Sequence, residues 1–253
     1  MFTKAERLIS LRNLRPKKKD GFLKVISIFS FIGIALGVAI LIIVMSVMNG
    51  FKNELTKKIL GFNPHVVIQP NSFKIDNEYI KKIKNEFKLD NISKSYSGEG
   101  IVLSKNNAKG VIIKGVNTKE LQNLDFIKNN IINGEINNFK KNTALIGAEL
   151  AYSLDLNVGD KINLISSVFV STPFGGFPNQ ETILIKGIYN TGFNEFDKNF
   201  IFLDISDALS LFEKEKDDQN IEIYISNPMD ANLLKKKLQI INKNYFIYTW
   251  SDL

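Results

Sequence analysis

The chain is 253 residues long, with 44% hydrophobic and 23% charged residues and no cysteine, a composition that supports a folded core and excludes intrinsic disorder and a disulfide scaffold. Its net charge of +7 is unevenly held. Residues 1–24 carry eight basic side chains (Lys4, Arg7, Arg12, Arg15, Lys17, Lys18, Lys19 and Lys24) against Glu6 and Asp20, leaving about +1 on the other 229 residues, which removes the basic surface that nucleic-acid binding needs.

At the N-terminus, the apolar residues Phe2, Ala5, Leu8, Ile9, Leu11 and Leu14 predict a short helix stopped by Pro16, with Arg7, Arg12 and Arg15 suited to acidic lipid headgroups. Residues 1–24 are thus expected to form a basic cytoplasmic or interfacial segment. Val25 to Phe51 holds no charge over 27 positions, where about 20 suffice to cross a bilayer as a helix. A basic segment abutting such a stretch is the positive-inside pattern, which puts the N-terminus in the cytoplasm and everything after Phe51 outside it. A cleavable signal peptide would have an apolar region of about 7–15 residues and a small-residue cleavage site; this one is longer and ends in Met48-Asn49-Gly50-Phe51. Gly33 and Gly37 permit close approach of another helix, or belong to an ordinary anchor. Leu55 and Ile59 carry helical spacing through residues 52–63, a stalk ended by Gly61 and Pro64.

Residues 64–253 predict an extracytoplasmic domain of strands and helices. Pro64 to Pro70 reads as a strand and Asp76 to Lys88 as a helix, with Asp76 as its cap and Tyr79, Ile80, Ile83 and Phe87 on one face. The order repeats at the far end: a strand over Ile221 to Ser226, a helix capped by Asp230 with Leu233, Leu234, Leu238 and Ile241 inward, and a strand over Tyr245 to Trp250. Two such units predict an α+β, split ferredoxin-like subdomain (64–140 and 218–253) interrupted by a β-rich insertion (141–217). Gly100 to Ser104 and Gly110 to Val116 flank Asn106-Asn107 and predict a hairpin. In the insertion, strands are expected at 144–146, 161–166, 182–188 and 199–203, with a helix from Gly147 to Leu154 and another capped by Ser206 and running to Glu213.

An enzyme needs a constellation of groups, and the common ones are missing: no GxxxxGK[ST] phosphate loop, HExxH, CxxC or GxSxG. His65 is the only histidine, so neither a triad nor a histidine metal site can be built. The acids near Asp217 read as a solvated loop, and Gly159-Asp160 as a turn. The most informative segment is Val170 to Gln180, an expected long loop with Phe174 and Phe177 at its tip. Pro173 and Pro178 limit its unbound conformations, Gly175 and Gly176 permit reversal, and the phenylalanines either anchor in a partner's pocket or fold back onto their own domain.

Ser46-Val47-Met48-Asn49-Gly50-Phe51 with Ile59-Leu60-Gly61, after Leu11-Arg12-Asn13-Leu14-Arg15, resembles the start of a lipoprotein-releasing ABC transporter permease of the LolC/LolE kind, within the MacB/FtsX-like permeases. Ile146 to Ala151, Leu156 to Asp160 and Gly192 to Asp197 resemble that family's periplasmic domain. The resemblance implies a bacterial inner-membrane transport subunit with four membrane helices, of which this chain supplies the first, and its MacB-like periplasmic domain, Leu253 falling just before the second helix. It implies further that ATP and magnesium are bound by a separate ABC ATPase subunit, that a second permease subunit completes a homo- or heterodimer, and that the cargo is lipoproteins. Thr172, Pro173, Phe174, Gly175, Gly176, Phe177 and Pro178, with Gln180, would be the hook that binds a periplasmic lipoprotein carrier. Relatives tend to place Arg at the positions of Asn163 and Glu181, so the patch beside the hook departs from the pattern. Met45, Met48 and Phe51 are expected to line a cavity accepting acyl chains, methionine being unbranched and adaptable, or simply to pack on a neighbouring helix. The alternatives are a single-span anchored interaction or sensor domain and a MacB-type efflux permease, which usually carries a fused ATPase.

Overall fold

The computed structural model describes residues 3–13, 21–71, 74–89, 91–105, 107–137, 139–173, 175–242 and 244–252. The chain divides into two compact units, Met1–Lys57 and Lys58–Leu253. In the first, α1 (Lys4–Asn13) opens on a reciprocal cap, with Glu6 Oε2 accepting from the Thr3 N–H at 2.8 Å and Thr3 Oγ1 from the Glu6 N–H at 3.4 Å. The expected stop at Pro16 lies outside the described residues. Span and stalk are one helix, α2 (Gly21–Phe62), of 42 residues. Within it Val25–Glu54 is long and apolar enough to cross a membrane, with mean hydropathy 2.9 and no part of its apolar window buried against protein.

The second unit begins with β1 (Val66–Gln69) and α3 (Asn77–Phe87). Asp76 caps α3 as its sequence predicts, accepting from the Glu78 N–H at 3.2 Å, and the helix buries Tyr79 and Ile83. The long strands β2 (Asn91–Ser104) and β3 (Asn107–Val116) form the expected hairpin, paired from Ser95↔Val116 to Ser104↔Asn107. Two short helices, α4 (Thr118–Asn123) and α5 (Asp125–Lys128), lead to β4 (Ile131–Gly134), β5 (Thr143–Gly147) and α6 (Ala148–Leu154). Then come β6 (Lys161–Thr172), β7 (Gly175–Tyr189), α7 (Asn194–Asn199), β8 (Phe200–Asp204) and α8 (Ile205–Leu211). The unit closes with β9 (Asn220–Tyr224), α9 (Ala231–Ile241) and β10 (Phe246–Thr249).

All these strands join one mixed sheet in the order β10-β1-β9-β2-β3-β8-β5-β7-β4, with β6 bridging β2 and β7. One apolar core packs α3 and α9 on β1, β9 and β10 through Val66, Ile68, Ile83, Ile223, Leu234, Leu238 and Ile247. A second gathers Val102, Val111 and Ile113 with Ile146, Leu150, Leu164, Ile185, Leu203 and Phe212. A third centres on Leu121, Phe139, Tyr189, Phe196 and Phe202. The cores therefore divide the domain partway along β2, so that β3 and the α4–β4 segment pack with the 141–217 strands rather than with the terminal ones.

At that division a charged pair is buried. Lys114 Nζ lies 2.8 and 2.9 Å from the two Glu222 carboxylate oxygens, which also accept from Ser95 Oγ at 2.6 Å and the Tyr224 hydroxyl at 3.0 Å. Ser95, Lys114 and Glu222 are all buried, on β2, β3 and β9 respectively. Both carboxylate oxygens have partners and the ammonium faces its counter-charge, the condition under which buried charge is tolerated. Burial, then the Glu222 charge, holds the Tyr224 phenol well above its ordinary value, so it stays a donor.

Three expected details are corrected. Leu233 is 56% exposed, on the outer face of α9 with Ile240, because Pro228–Asp230 forms a separate 3-10 turn that sets the phase of the helix. Asp230 occupies the cap position, but its carboxylate accepts from Asn227 Nδ2 at 2.9 Å instead of capping. The cap of α8 is Asp204, not Ser206: Asp204 Oδ1 accepts from the Ser206 N–H at 2.9 Å, and α8 ends at Leu211.

Candidate functional site

His65 is structural. Its Nδ1 accepts from the Ile225 N–H at 2.9 Å, which leaves Nε2–H to donate to the Leu60 carbonyl at 3.2 Å, tying Leu60 to the residue that follows β9 through a buried ring. Burial pushes its pKa down. Among the described residues no group of three or more His, Asp or Glu side chains is placed to hold a metal ion. The acids near Asp217 engage Lys74, which bonds Glu215 at 3.0 Å and Asp217 at 2.9 Å on the surface.

The segment expected as a loop is a β-ribbon. β6 and β7 pair regularly from Lys161↔Leu184 to Ile165↔Gln180, lose register, and pair again from Phe169↔Pro178 to Thr172↔Gly175. Pairing runs up to Thr172↔Gly175, and Gly175 takes a φ of 120° that glycine accommodates without strain. The expectation of a long loop fails because glycine and proline, which break an isolated strand, lie here on the exposed edges of a two-stranded ribbon, where both are tolerated. Phe177 is therefore not at the tip but two rungs below it, opposite Val170, and is 54% exposed. Pro173, Gly175, Gly176, Pro178 and Gln180 are exposed as well. Phe174 and the Thr172 side chain lie outside the described residues.

Sequence reasoning missed Phe169, which is 67% exposed. Strand alternation places it with Pro178 and Gly176 on one face of the ribbon, while Phe177 and Val170 occupy the other. Its ring lies beside Gly176, where a Cβ would meet Phe169 Cδ1 at 3.8 Å, an ordinary contact distance. The whole stretch from Ile162 to Gln180 is free of charge, between Lys161 and Glu181, and that signal could have found it.

Beside the base of the ribbon, Ile101 (44% exposed) pairs with Ile165, and Asn163 and Gln180 share that face. Asn163 Oδ1 accepts from Thr182 Oγ1 at 2.7 Å. Glu181, opposite buried Leu164, lies on the other face, so the two positions that depart from the permease pattern do not form one patch. Burial pushes the Asp207 carboxyl up, with the Asp204 and Glu181 charges adding to it. On α2, Met45, Met48 and Phe51 are all about 60% exposed, spread over roughly a third of the helix circumference.

Residues 27–241 match the MacB-like periplasmic core domain. This chain belongs to that family. It is 28% identical over 241 residues to the lipoprotein-releasing system transmembrane protein LolC of Neisseria meningitidis, covering 92% of this chain and 57% of the relative. It is 30% identical over 234 residues to LolE of Haemophilus influenzae, covering 89% of this chain and 56% of that one. The chain thus spans a little over half the length of these relatives. Among solved structures, the periplasmic region of MacB from Actinobacillus actinomycetemcomitans aligns over 78% of this chain and 92% of its own, with a TM-score of 0.49 and 9% identity.

Proposed function

We propose that this chain is the first membrane helix and periplasmic domain of a permease subunit in an ATP-driven inner-membrane transporter that extracts lipoproteins and passes them to a soluble periplasmic carrier. The observation that carries this reading is the ribbon: a charge-free prong with exposed phenylalanine on each face, held on a rigid sheet, as docking into an apolar cleft requires. Similarity to LolC and LolE over most of the chain supports the class of transporter. The basic N-terminal segment supports a cytoplasmic N-terminus and a periplasmic domain.

An external energy source is required by the cargo. Burial contributes about 0.8 kcal/mol per CH₂, so three acyl chains are held in a bilayer by tens of kcal/mol. Hydrolysis falls to a separate ATPase subunit, which binds ATP and magnesium, and a second permease subunit completes the complex. Met45, Met48 and Phe51 offer the cargo an adaptable apolar wall.

A photoreactive amino acid at Phe177 of the full-length protein, activated in intact cells, tests the reading by mass spectrometry of the adduct. Capture of a soluble lipoprotein carrier is the expected result. Capture of an efflux adaptor instead would favour the MacB-type permease, and capture of only the chain's own domain would favour an anchored interaction module.

A further inference from the structure

Where β6 and β7 lose register, three residues of one strand (Ser166, Ser167 and Val168) face a single residue of the other, Asn179. Such an irregularity bends and twists a ribbon and, unsupported, lets it pivot. Here it is bolted on both sides. Asn179 turns its side chain out of the ribbon and donates from Nδ2 to the carbonyls of Ser210 and Leu211, at 3.0 and 3.1 Å, at the end of α8, where the Ser210 carbonyl also accepts from the Glu213 N–H at 3.1 Å. The buried Ser166 hydroxyl bonds the Asn179 carbonyl at 3.4 Å and accepts from the Val168 N–H at 3.3 Å.

The far end of this bolt is itself packed. α8 lies against the sheet where Gly115 leaves space for Ala208, and the Phe212 ring sits on Gly98, where a Cβ would come within 2.5 Å of it, and 5.4 Å from the Tyr96 ring. Phe212 is 2% exposed. The ribbon's angle to the sheet is thus referred, through one amide, to the packed core.

We infer that Asn179 is the positioning residue of the ribbon: by holding the end of α8 it fixes the direction in which Phe169 and Phe177 are presented. This rests on the reading of the ribbon as a docking prong, and it assigns the pre-ordering of that prong to one side chain. Pre-ordering matters because an arm that must be immobilised on docking loses affinity to that ordering.

The test uses the full-length protein in membranes. Residues 1–253 contain no cysteine, so once any cysteine outside them is replaced, Ser171→Cys on the ribbon and Tyr152→Cys on α6, which is 87% exposed, place a spin-label pair within the domain. Electron–electron distance measurements are expected to give one narrow distribution in the parent and broadened or shifted ones in Asn179→Ala and Asn179→Asp. The aspartate variant is the sharper of the two, since it keeps the shape of asparagine but aims a carboxylate without donors at two carbonyls, and its distribution is expected to depart at least as far. Crosslinking of the carrier from Phe177 should fall roughly threefold to tenfold, the scale of one or two lost hydrogen bonds.

Distributions unchanged in both variants overturn the inference, as does an aspartate variant that behaves like the parent while alanine does not, which would mean shape and not donation matters. If Asn179→Asp fails to fold, Ser166→Ala, which leaves the amide in place and removes the bond to its carbonyl, is expected to give a smaller broadening in the same measurement, and no broadening there or in Asn179→Ala counts against the bolt. A parent that captures no carrier sinks the proposed function, while the distance measurement still decides the role of Asn179.

Discussion

Two regions of this domain break the rule of polar outside and apolar inside, in opposite directions. At Lys114 and Glu222 a charged pair is buried; on the ribbon, Phe169 and Phe177 are exposed. The first is complete in itself, since Lys114, Ser95 and Tyr224 together satisfy both carboxylate oxygens. The second has no such internal account: its rings extend from opposite faces of a charge-free prong. A violation saturated by its own neighbours holds a fold together, and one left open points to a partner.

The largest effect should come from breaking the saturated region. Glu222→Ala strands the Lys114 ammonium in the sheet, and a loss of about 3–5 kcal/mol is expected in chemical denaturation, the usual cost of removing one partner of a buried pair. Replacing both, Lys114→Met with Glu222→Leu, should recover most of it; no recovery would mean that the pair does more than satisfy itself. The ribbon should answer in the opposite way. Phe177→Ser and Phe169→Ser are expected to leave unfolding free energy within about 0.5 kcal/mol of the parent, yet to cut carrier crosslinking roughly tenfold or more, as for anchor residues. Both losing stability instead would erase the contrast.

Smaller effects sharpen it. Asp204→Ala should cost about 1 kcal/mol by removing the cap of α8, with Ser206→Ala costing less, and the reverse order would restore Ser206 as the cap. The smallest is a pH effect at His65. Burial depresses its pKa in the folded state, so the unfolded chain binds a proton first. The contribution is full above the ordinary imidazole value near 6.5, falls as pH drops through it, and levels off once the folded imidazole is also protonated. The carboxyls of half-buried Glu120 and of buried Asp197 and Asp207, all raised chiefly by desolvation, titrate with the opposite sign. The slope is therefore read as the difference between parent and His65→Gln, in unfolding free energies measured at pH 7.5 and 5. Equal slopes would show that the ring does not titrate between folded and unfolded states.

Much of the fold was legible because local signals agreed with the tertiary outcome. Asp76 caps α3, β2 and β3 form the hairpin that Gly100 to Ser104 and Gly110 to Val116 predict, and the apolar runs of β1, β5, β8 and β9 fall where expected. The first half of β2, Asn91 to Gly98, was not legible: serine, lysine and glycine carry little strand signal, and what makes it a strand is pairing with β9 and β3 on either side. At the ribbon, composition singles out the segment from Val170 to Gln180 but not its form, because glycine and proline mark a turn or an exposed edge equally well. Phe169 escaped notice because it looked like one more core residue of an apolar strand, and only the register, which hands it to the outer face beside Pro178, distinguishes it. Asn179 carries no signal in sequence, since its partners are backbone carbonyls more than thirty positions away.

The placement of proline on the ribbon bears on what the domain avoids. An outward-reaching pair of strands with bare aromatic rings is the shape on which a stray chain most readily templates, since its outer hydrogen-bonding groups have no neighbour in the sheet. Pro178, opposite Phe169, offers no N–H to such a chain, and Pro173 blocks the reversal in the same way. With the sheet's own margins, β4 and β10, limited to four residues each, the protein can display hydrophobic anchors in a crowded compartment while leaving almost no track along which copies of itself would zip into fibres.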